Sequence, residues 1–413
     1  MALQWNRQNV GFVDGFLVPN THIMSRHTQI IAGIDVGTHQ IKVAVVRVAK
    51  SAERNVPQLL GTGFADSRGI RNGYIISEAE VAKSIKTAVA MAEKNAGVPI
   101  KRAYVSLGSI GLDEIEATGE IIPARADSEI TDHDLEKVAQ DCEDRIADRI
   151  PNRRILHIIP LRYRVDGELV LGRATGMQGT KLEADCLFIT AYEQHLHELT
   201  AAVGQAGVMV EDVTASPLAA SFVLLNKAQK RAGCVLANIG AETVSIVVFE
   251  DFLPISVKVF PIGSNDITND LALGLKIPIE EAEKAKRGGM TSMSLPKKKV
   301  EEIIAARLTD IFELIDNHLK KIKRDGLLPA GIILTGGGSN LLMAQDTARD
   351  VLNLPARFAN LELNKNTKMK DASWTVAYGL CLLGASSSDE RNSIGINRTQ
   401  RRSLWGWFSQ FLP

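Results

Sequence analysis

Short runs of alternating apolar and polar residues occur along most of this 413-residue chain, and segments with apolar residues at helical spacing lie between them. The clearest helical segments are residues 78–97, 131–146 and 300–324. The first ends in Gly-Val-Pro, and the second begins at Thr131, where Asp134 completes a capping box. Strands and helices in alternation over this length predict an α/β protein with two or more domains.

One strand–turn–strand pattern is written twice, near the start of the chain and past its middle. In the first copy Asp35 ends an apolar strand, and Lys42 lies in the alternating strand that follows. The turn between them contains Gly37 and Thr38. The second copy keeps this spacing and contains Asn238, Gly240, Ala241, Glu242 and Thr243. Because turns without bulky side chains expose backbone N–H groups that bind phosphate oxygens, the repeat predicts two similar halves that hold one nucleotide.

A third motif, made of small residues, follows the apolar strand at residues 332–335. It consists of Gly336, Gly337, Gly338, Ser339 and Asn340. Glycines allow the backbone to approach a flat base closely, and either Ser339 or Asn340 is predicted to cap the helix that follows. Each motif alone could be an ordinary hairpin or loop. In this order, the three resemble the phosphate-1, phosphate-2 and adenosine motifs of the actin-like ATPase superfamily.

Composition and charge narrow the possible functions. With 48 basic and 48 acidic residues the formal net charge is zero, which argues against a nucleic-acid-binding protein. The four cysteines are far apart and form no CxxC pair, so they suggest neither a zinc site nor a redox pair and suit a reducing cytosol. No apolar run in the sequence is long enough to span a bilayer.

The N-terminal residues 1–29 lack a signal-peptide pattern, because no basic start precedes an apolar block. We expect them to form a disordered extension before the first strand. Met24 is an alternative start to Met1, and N-terminal sequencing of the native protein would distinguish the two.

Several further segments extend the likeness well beyond the nucleotide motifs. They are residues 67–73 (SRGIRNG), 156–167 (LHIIPLRYRVDG), 261–270 (PIGSNDITND) and 280–286 (EEAEKAK). With them, residues 30–384 resemble the FtsA family, the actin-like proteins of bacterial cell division. The resemblance implies a duplicated actin-like ATPase fold, of class α/β, with a small inserted α+β subdomain called 1C.

The resemblance also implies a domain map. The first half (1A) would comprise residues 30–110 and 191–229, and 1C would be the insertion at residues 111–190. The second half would have its core (2A) at residues 230–266 and 329–385 and an outer subdomain (2B) at residues 267–328. Residues 386–400, which are polar, would form a linker to a terminal helix at residues 401–413.

The same resemblance assigns roles around a cleft that binds ATP with Mg²⁺. Asp35 would hold Mg²⁺-bound water, and Lys42 would neutralise phosphate charge unless it is an outward-facing strand lysine. Glu283 and Lys286, three residues apart on one helix face, would contact ribose and adenine unless they form a plain surface ion pair. Phosphate would meet Gly37, Thr38, Gly240, Ala241, Glu242 and Thr243, and adenosine would be bordered by Gly336, Gly337, Gly338 and Asn340.

The second turn departs from the superfamily pattern. Asn238 stands where Asp is usual, so it lacks the negative charge that favours a hard cation and helps to activate water. Glu242 adds a carboxylate beside a polyanion, which is repulsive unless Mg²⁺ or a lysine intervenes or the side chain points to solvent. We therefore expect nucleotide binding with slow or absent hydrolysis, and the sequence offers no clear general base.

The last residues, 401–413, have the pattern of an amphipathic helix. On a helical wheel one face collects Leu404, Trp405, Trp407, Phe408, Phe411 and Leu412, and Arg401 and Arg402 precede it. Aromatic rings settle at the headgroup level and arginines attract anionic lipid, so the pattern predicts a membrane-surface helix. The alternative is a terminal helix that docks on the core of the protein itself.

Together these features favour an ATP-binding scaffold of cell division. By resemblance, it would polymerise into protofilaments on the cytoplasmic face of the cell membrane and anchor FtsZ filaments through the FtsZ C-terminal peptide, at about residues 267–328. Subdomain 1C would take part in subunit contacts or recruit other divisome proteins. The alternatives are a PilM-like pilus-assembly ATPase and a sugar or acetate kinase of the same superfamily.

Overall fold

The computed structural model describes residues 10–13, 16–19, 28–49, 57–123, 128–292, 294–341, 343–360 and 372–393. Its strands are β1 (Val10–Val13), β2 (Phe16–Pro19), β3 (Thr28–Val36), β4 (Gln40–Ala49), β5 (Gln58–Asp66), β6 (Ile70–Arg71), β7 (Tyr74–Ile75), β8 (Arg102–Leu107), β9 (Asp113–Ile121), β10 (Arg153–Val165), β11 (Glu168–Leu169), β12 (Leu182–Tyr192), β13 (Met209–Ala215), β14 (Cys234–Ile239), β15 (Val244–Glu250), β16 (Leu253–Phe260), β17 (Ile332–Thr335) and β18 (Ala356–Phe358).

The α-helices are α1 (Glu78–Ala96), α2 (Asp132–Ile146), α3 (Glu193–Gln205), α4 (Ser216–Leu224), α5 (Lys227–Ala232), α6 (Ser264–Leu275), α7 (Ile279–Lys286), α8 (Lys297–Lys321), α9 (Ala344–Leu352) and α10 (Thr375–Ser393). Short 3₁₀ helices occupy Ala147–Arg149, Gly337–Asn340 and Ala372–Trp374. Among the helices of the described residues, none combines the length and apolarity that crossing a membrane requires.

Two five-stranded sheets form the two halves. The first has the order β13-β8-β3-β4-β5 and the second the order β16-β15-β14-β17-β18. Both contain the predicted hairpin in the same register, because Asp35 pairs with Lys42 in the first and Asn238 pairs with Ser245 in the second. Each hairpin is flanked by a parallel strand on one side and an antiparallel strand on the other. The duplicated fold predicted from the sequence repeat is therefore confirmed.

Helix α4 lies at the junction of the two halves. It contacts β13 and β8 of the first sheet and β14, β15 and β16 of the second. Most of its side chains are buried, as expected for a helix with apolar residues all round. One continuous hydrophobic core consequently spans the first half and one face of the second sheet. The opposite face of the second sheet packs on α6, α8 and α9.

The insertion forms a separate small subdomain. Its sheet has the order β11-β10-β12-β9, and α2 packs on one face. The predicted capping box is present, since the Thr131 hydroxyl accepts from the Asp134 N–H and the Asp134 carboxylate accepts from the Thr131 N–H. Gly119 allows α2 to approach β9, because a Cβ there would lie 2.7 Å from Cys142 Sγ. This arrangement matches the predicted α+β insertion 1C.

The C-terminal helix differs from its prediction. The domain map gave residues 329–385 to the second half, but α10 packs on α4, β3, β4 and β8, within the first half. Gly33 makes this possible, because a Cβ there would overlap the Ala377 carbonyl oxygen. The helix also continues to Ser393, so part of the predicted linker 386–400 is helical.

The chain termini bring one further difference. The sequence favoured a disordered extension for residues 1–29, but β1 and β2 form an antiparallel hairpin there. The Asp-Gly dipeptide between the two apolar runs is a typical two-residue hairpin signal. The predicted membrane helix at residues 401–413 lies outside the described residues.

Candidate functional site

A cleft of about 1430 Å³ lies between the two halves. The hairpin turns and the glycine loop all face it. The predicted residues that line it are Asp35, Gly37, Thr38, Lys42, Asn238, Gly240, Ala241, Glu242, Thr243, Glu283, Lys286, Gly336, Gly337 and Gly338. Asn340 is the last residue of the 3₁₀ helix that follows the glycine loop. Three motifs that are distant in sequence therefore converge on one space.

Strand β8 holds Asp35 in place at the wall of the cleft. The Ser106 hydroxyl donates to Asp35 Oδ1 at 2.7 Å and accepts from the Val36 N–H at 3.2 Å. Burial raises the pKa of Asp35, while the charge of Lys42 and the hydrogen bond from Ser106 lower it. Ser106 therefore fixes the carboxylate and helps to keep it ionised.

Lys42 lies directly opposite Asp35 in the register of β3 and β4. Side chains paired across antiparallel strands share one face of the sheet. Lys42 is half-buried and lines the cleft, so it is not the outward-facing strand lysine of the alternative interpretation. Its contact with phosphate stays a prediction.

The two turns have the same tight geometry. A Cβ on Gly37 would lie 2.9 Å from the Gln40 carbonyl oxygen, and a Cβ on Gly240 would lie 2.8 Å from the Thr243 carbonyl oxygen. In the second turn the Gly240 N–H donates to that same Thr243 oxygen at 2.9 Å. Both turns therefore need glycine at this position, which supports their equivalence.

Helix α6 supports the second turn from behind. The Ser264 N–H donates to the Gly240 carbonyl oxygen at 2.9 Å, and the Asn265 N–H donates to the Ala241 carbonyl oxygen at 2.8 Å. Gly263 is packed against Ala241 so closely that a Cβ has no room. The first backbone N–H groups of α6 therefore bond to the second turn and fix its position relative to the helix.

The three glycines of the loop have different roles. Gly336 has a φ of +89°, and a Cβ there would lie 2.5 Å from the Ile239 carbonyl oxygen and closer still to Asn238 Oδ1. A Cβ on Gly338 would lie 2.7 Å from Ile239 Cγ2, whereas a Cβ on Gly337 would meet nothing within 4 Å. The loop is therefore pressed against the end of β14 through Gly336 and Gly338.

The helix cap predicted after this loop is wrong. The next α-helix, α9, begins beyond Met343, which makes no side-chain capping bond. The Ser339 hydroxyl instead donates to the Gly336 carbonyl oxygen at 2.8 Å. A 3₁₀ turn at Gly337–Asn340 comes before α9, so the loop is longer than the sequence pattern predicts.

Glu283 and the buried Lys286 form an ion pair in the cleft wall rather than a plain surface ion pair. Their charged atoms are 2.6 Å apart, and Lys286 is 8% exposed. Lys286 Nζ also donates to the Ser264 carbonyl oxygen and to Thr268 Oγ1, so its three donors are all used. Burial lowers the pKa of Lys286. Lys286 consequently positions its neighbours, and Glu283 is the more exposed member of the pair.

Glu242 crosses the cleft instead of pointing to solvent. Its Oε2 atom accepts a hydrogen bond of 2.7 Å from the backbone N–H of Asn72, which belongs to the other half. Asn72 and Gly73 have φ values of +48° and +78° and form the turn between β6 and β7. Gly73 packs on Ser109, because a Cβ there would lie 2.6 Å from Ser109 Cα. The hairpin at residues 70–75 therefore links the halves through Glu242.

The charges that line the cleft are balanced rather than basic. The acidic residues are Asp35, Glu242, Asp266, Glu280, Glu283 and Glu301, and the basic ones are Lys42, Arg71, Lys286, Arg287 and Lys297. The lining side chains alone therefore do not neutralise the charge of a polyphosphate. Mg²⁺ typically keeps several waters and takes one or two carboxylates plus phosphate oxygens, which fits Asp35 and the amide of Asn238.

The described residues contain no cluster of three or more His, Cys, Asp or Glu side chains arranged to hold a metal.

Sequence reasoning missed Ser106, Thr268 and the role of Asn72. Ser106 and Thr268 act through contacts with residues distant in sequence, and a single hydroxyl residue carries no recognisable signal. Asn72 lies in the segment at residues 67–73 that was noted only as a family likeness. Its Asn-Gly dipeptide is a hairpin signal and could have indicated the turn.

Comparisons with known proteins agree with this architecture. A family model described as cell division protein FtsA matches residues 235–379, and one described as an SHS2 domain inserted in FtsA matches residues 115–190. Cell division protein FtsA of Streptococcus pneumoniae is 30% identical over 343 residues, covering 78% of this chain and 73% of the relative. That of Borreliella burgdorferi is 29% identical over 417 residues, covering 93% and 99%.

Solved structures show the same fold at lower identity. A PilM–PilN type IV pilus biogenesis complex superposes with a TM-score of 0.65 at 17% identity, covering 86% of this chain and 98% of the other. MreB5 of Spiroplasma citri bound to AMPPNP gives 0.52 at 12% identity, covering 89% and 99%. These likenesses show the actin-like fold alone, whereas the family models and relatives favour a division protein over the pilus-assembly alternative. The chain belongs to the FtsA family of actin-like bacterial cell division proteins.

Proposed function

We propose that this chain binds ATP with Mg²⁺ between its two halves and acts as a nucleotide-controlled scaffold in cell division. The observation that carries the proposal is the convergence of two equivalent glycine turns and the glycine loop on one cleft. Asp35 and Asn238 would hold water bound to Mg²⁺, and Lys42 would meet phosphate. The fold shared with MreB5, whose structure was solved with bound ADP and with AMPPNP, supports this assignment.

Hydrolysis is expected to be slow or absent. The amide of Asn238 offers an oxygen but no charge, so it stabilises a metal-bound nucleophile less than a carboxylate does. The carboxylate of Glu242, which is the nearest extra acid on the second turn, is engaged with the Asn72 N–H. A cleft with bound nucleotide and little turnover suits a scaffold better than a metabolic kinase.

The scaffold would lie on the inner face of the cytoplasmic membrane. The proposal rests on the sequence of residues 401–413, with two arginines before an aromatic face. One short helix binds weakly and reversibly, whereas a protofilament that presents many copies binds far more tightly through multivalency. Polymerisation and membrane attachment would therefore support each other.

Other division proteins would bind to the outer parts of the molecule. Outer subdomain 2B, at residues 267–328, would receive the C-terminal peptide of FtsZ and so anchor FtsZ filaments. Subdomain 1C would contribute to subunit contacts or receive other divisome proteins. Family membership supports both assignments.

Three measurements test the proposal. The first is phosphate release from the purified full chain beside an Asn238→Asp variant, with nucleotide binding measured in parallel. Binding with turnover well below about one per second, and faster turnover in the variant, is expected. A wild-type rate of about one per second or more would refute slow hydrolysis, and absent binding would refute the nucleotide site.

The second measurement is co-sedimentation with vesicles that contain anionic lipid. The full chain is compared with a truncation after Ser393, because α10 extends to that residue and an earlier cut would remove part of a packed helix. Pelleting of the full chain alone is expected. Equal pelleting of the full chain and the truncation would refute a role of residues 401–413 in membrane binding. Electron microscopy on lipid monolayers with and without ATP would show whether filaments form.

A further inference from the structure

The junction between the inserted subdomain and the second half contains a buried polar contact. Strands β9, β10 and β12 of the insertion all contact β16, the edge strand of the second sheet, and the polar contact is made by β9. The carboxylate of Glu114 on β9 accepts hydrogen bonds from the Ser256 hydroxyl at 2.7 Å and from the Val257 N–H at 2.5 Å. The Glu114 carboxylate therefore accepts a hydrogen bond from a backbone N–H of β16 that is not paired with a neighbouring strand. Ser256, in the same contact, is fully buried.

His318 completes this contact from helix α8. Its Nε2 atom lies 2.7 Å from the Ser256 oxygen and 3.9 Å from Glu114 Oε1. Because the Ser256 proton is directed to Glu114, Nε2–H of a neutral His318 donates to Ser256. Burial lowers the pKa of His318 to about 4, which agrees with a neutral ring. We call the group Glu114, Ser256, Val257 and His318 the base clasp.

A more exposed ion pair lies beside the base clasp. Lys258 Nζ on β16 is 3.3 Å from Asp113 Oδ1 on β9. Burial raises the pKa of Glu114, and its hydrogen bonds and Lys258 lower it. Breaking the contact would leave a buried carboxylate or a buried N–H without a partner, which is costly. The contact therefore resists separation of β9 from β16.

Helix α8 runs from the base clasp to the nucleotide cleft. Lys297, Glu301 and Ile304 at its N-terminal end line the cleft, and His318 lies roughly 20 Å further along the helix axis. Arg307 binds Asp270 of α6 through two hydrogen bonds, of 2.7 and 3.1 Å. Since the first N–H groups of α6 also bond to the second turn, a continuous series of contacts runs from that turn through α6 and α8 to His318.

We propose that the base clasp couples the position of subdomain 1C to the nucleotide in the cleft, with Glu114 as the residue that transmits the coupling. If bound nucleotide changes the angle between the halves, either 1C moves with the second half or the Glu114 contact breaks. This inference rests on the proposed nucleotide binding. It gives 1C a nucleotide-dependent orientation without any contact between 1C and the ligand.

The test compares Glu114→Ala with Glu116→Ala in the full chain. Glu116 is exposed on the same strand, so its loss controls for charge and strand propensity. Affinity for fluorescent MANT-ADP and hydrogen exchange of residues 113–121 and 253–260 are measured with and without nucleotide. Coupling is reciprocal, so Glu114→Ala should change affinity by about fivefold or more, and nucleotide should change exchange at the base clasp in wild type. Glu116→Ala should match wild type in both.

The outcomes separate this proposal from the proposed function. If wild type binds no nucleotide, the proposed function fails and the coupling with it. If wild type and Glu114→Ala bind nucleotide equally well, and hydrogen exchange at residues 113–121 is the same with and without nucleotide, only the base clasp proposal is overturned. Should Glu114→Ala fold poorly, Glu114→Gln is used instead, because it keeps one acceptor oxygen but loses the charge. The proposal is also overturned if Glu114→Gln has the nucleotide affinity of wild type and hydrogen exchange does not change when nucleotide is added.

Discussion

The glycine loop offers the sharpest single-residue prediction, because two adjacent glycines differ completely in their surroundings. Gly336→Ala puts a Cβ 2.5 Å from the Ile239 carbonyl oxygen and closer to Asn238, in a residue whose φ is +89°. Gly337→Ala puts a Cβ into open space, since nothing lies within 4 Å. The two variants share the same chemistry and the same loop, so any difference between them comes from local geometry.

The expected cost of Gly336→Ala can be estimated from its two causes. The backbone of Gly336, with φ +89° and ψ 165°, lies in a region essentially restricted to glycine, where another residue costs about 1–3 kcal/mol. Overpacking against fixed backbone costs about 1–3 kcal/mol, so together they predict a loss of about 2–6 kcal/mol. Because about 1 kcal/mol shifts the melting midpoint by roughly 2–4 °C in domains of about 150–250 residues, the midpoint should fall by several degrees. Gly337→Ala should lie within about 0.5 kcal/mol of wild type.

The assay combines thermal melting with nucleotide titration of both variants. Gly336→Ala displaces the loop from Asn238 and should also weaken nucleotide binding, whereas Gly337→Ala should keep the melting midpoint. If both variants melt alike, the close packing of Gly336 against the end of β14 is not what requires glycine, and the reasoning fails.

Three further predictions follow from single contacts. Glu242→Ala should increase hydrogen exchange at Asn72 relative to wild type, whereas Glu242→Gln keeps an acceptor and should preserve protection; equal exchange in all three removes the cross-cleft link. Ser106→Ala should weaken Mg²⁺-dependent nucleotide binding severalfold with little effect on Mg²⁺-free binding, and a uniform loss would contradict a role through Asp35. The pKa of His318 is about 4 in the folded protein and about 6.5 in the unfolded chain. Because the unfolded state binds the proton first, the free energy of unfolding should fall as pH falls from about 6.5 to 4, and His318→Asn should flatten this slope in urea titrations.

The repeated hairpin and the insertion could be predicted from the sequence because their signals are local. Asp35 and Asn238 each end an apolar run, and a glycine follows at the same spacing in both copies. The capping box at Thr131 likewise lies within four residues. Such patterns fix the element type and the register, and register then places Lys42 opposite Asp35.

The remaining features depend on contacts between distant segments. No local sequence signal indicates that α10 packs on β3, because the small residues that permit it, Gly33 and Ala377, are far apart in the chain. For the same reason the sequence does not indicate the three acceptors that surround the Lys286 ammonium group, and the contact of Lys286 with ligand stays a prediction. The Glu242 interaction was missed because its partner is a backbone N–H, which no side-chain pattern records.

Calorimetric titration of the full chain with MgATP and with MgADP tests the central claim most directly. The account predicts saturable binding at one site per chain, weakened in Gly336→Ala and retained in Gly337→Ala. Absence of binding heat for both nucleotides, together with crystals soaked in either nucleotide whose cleft stays empty, would contradict it.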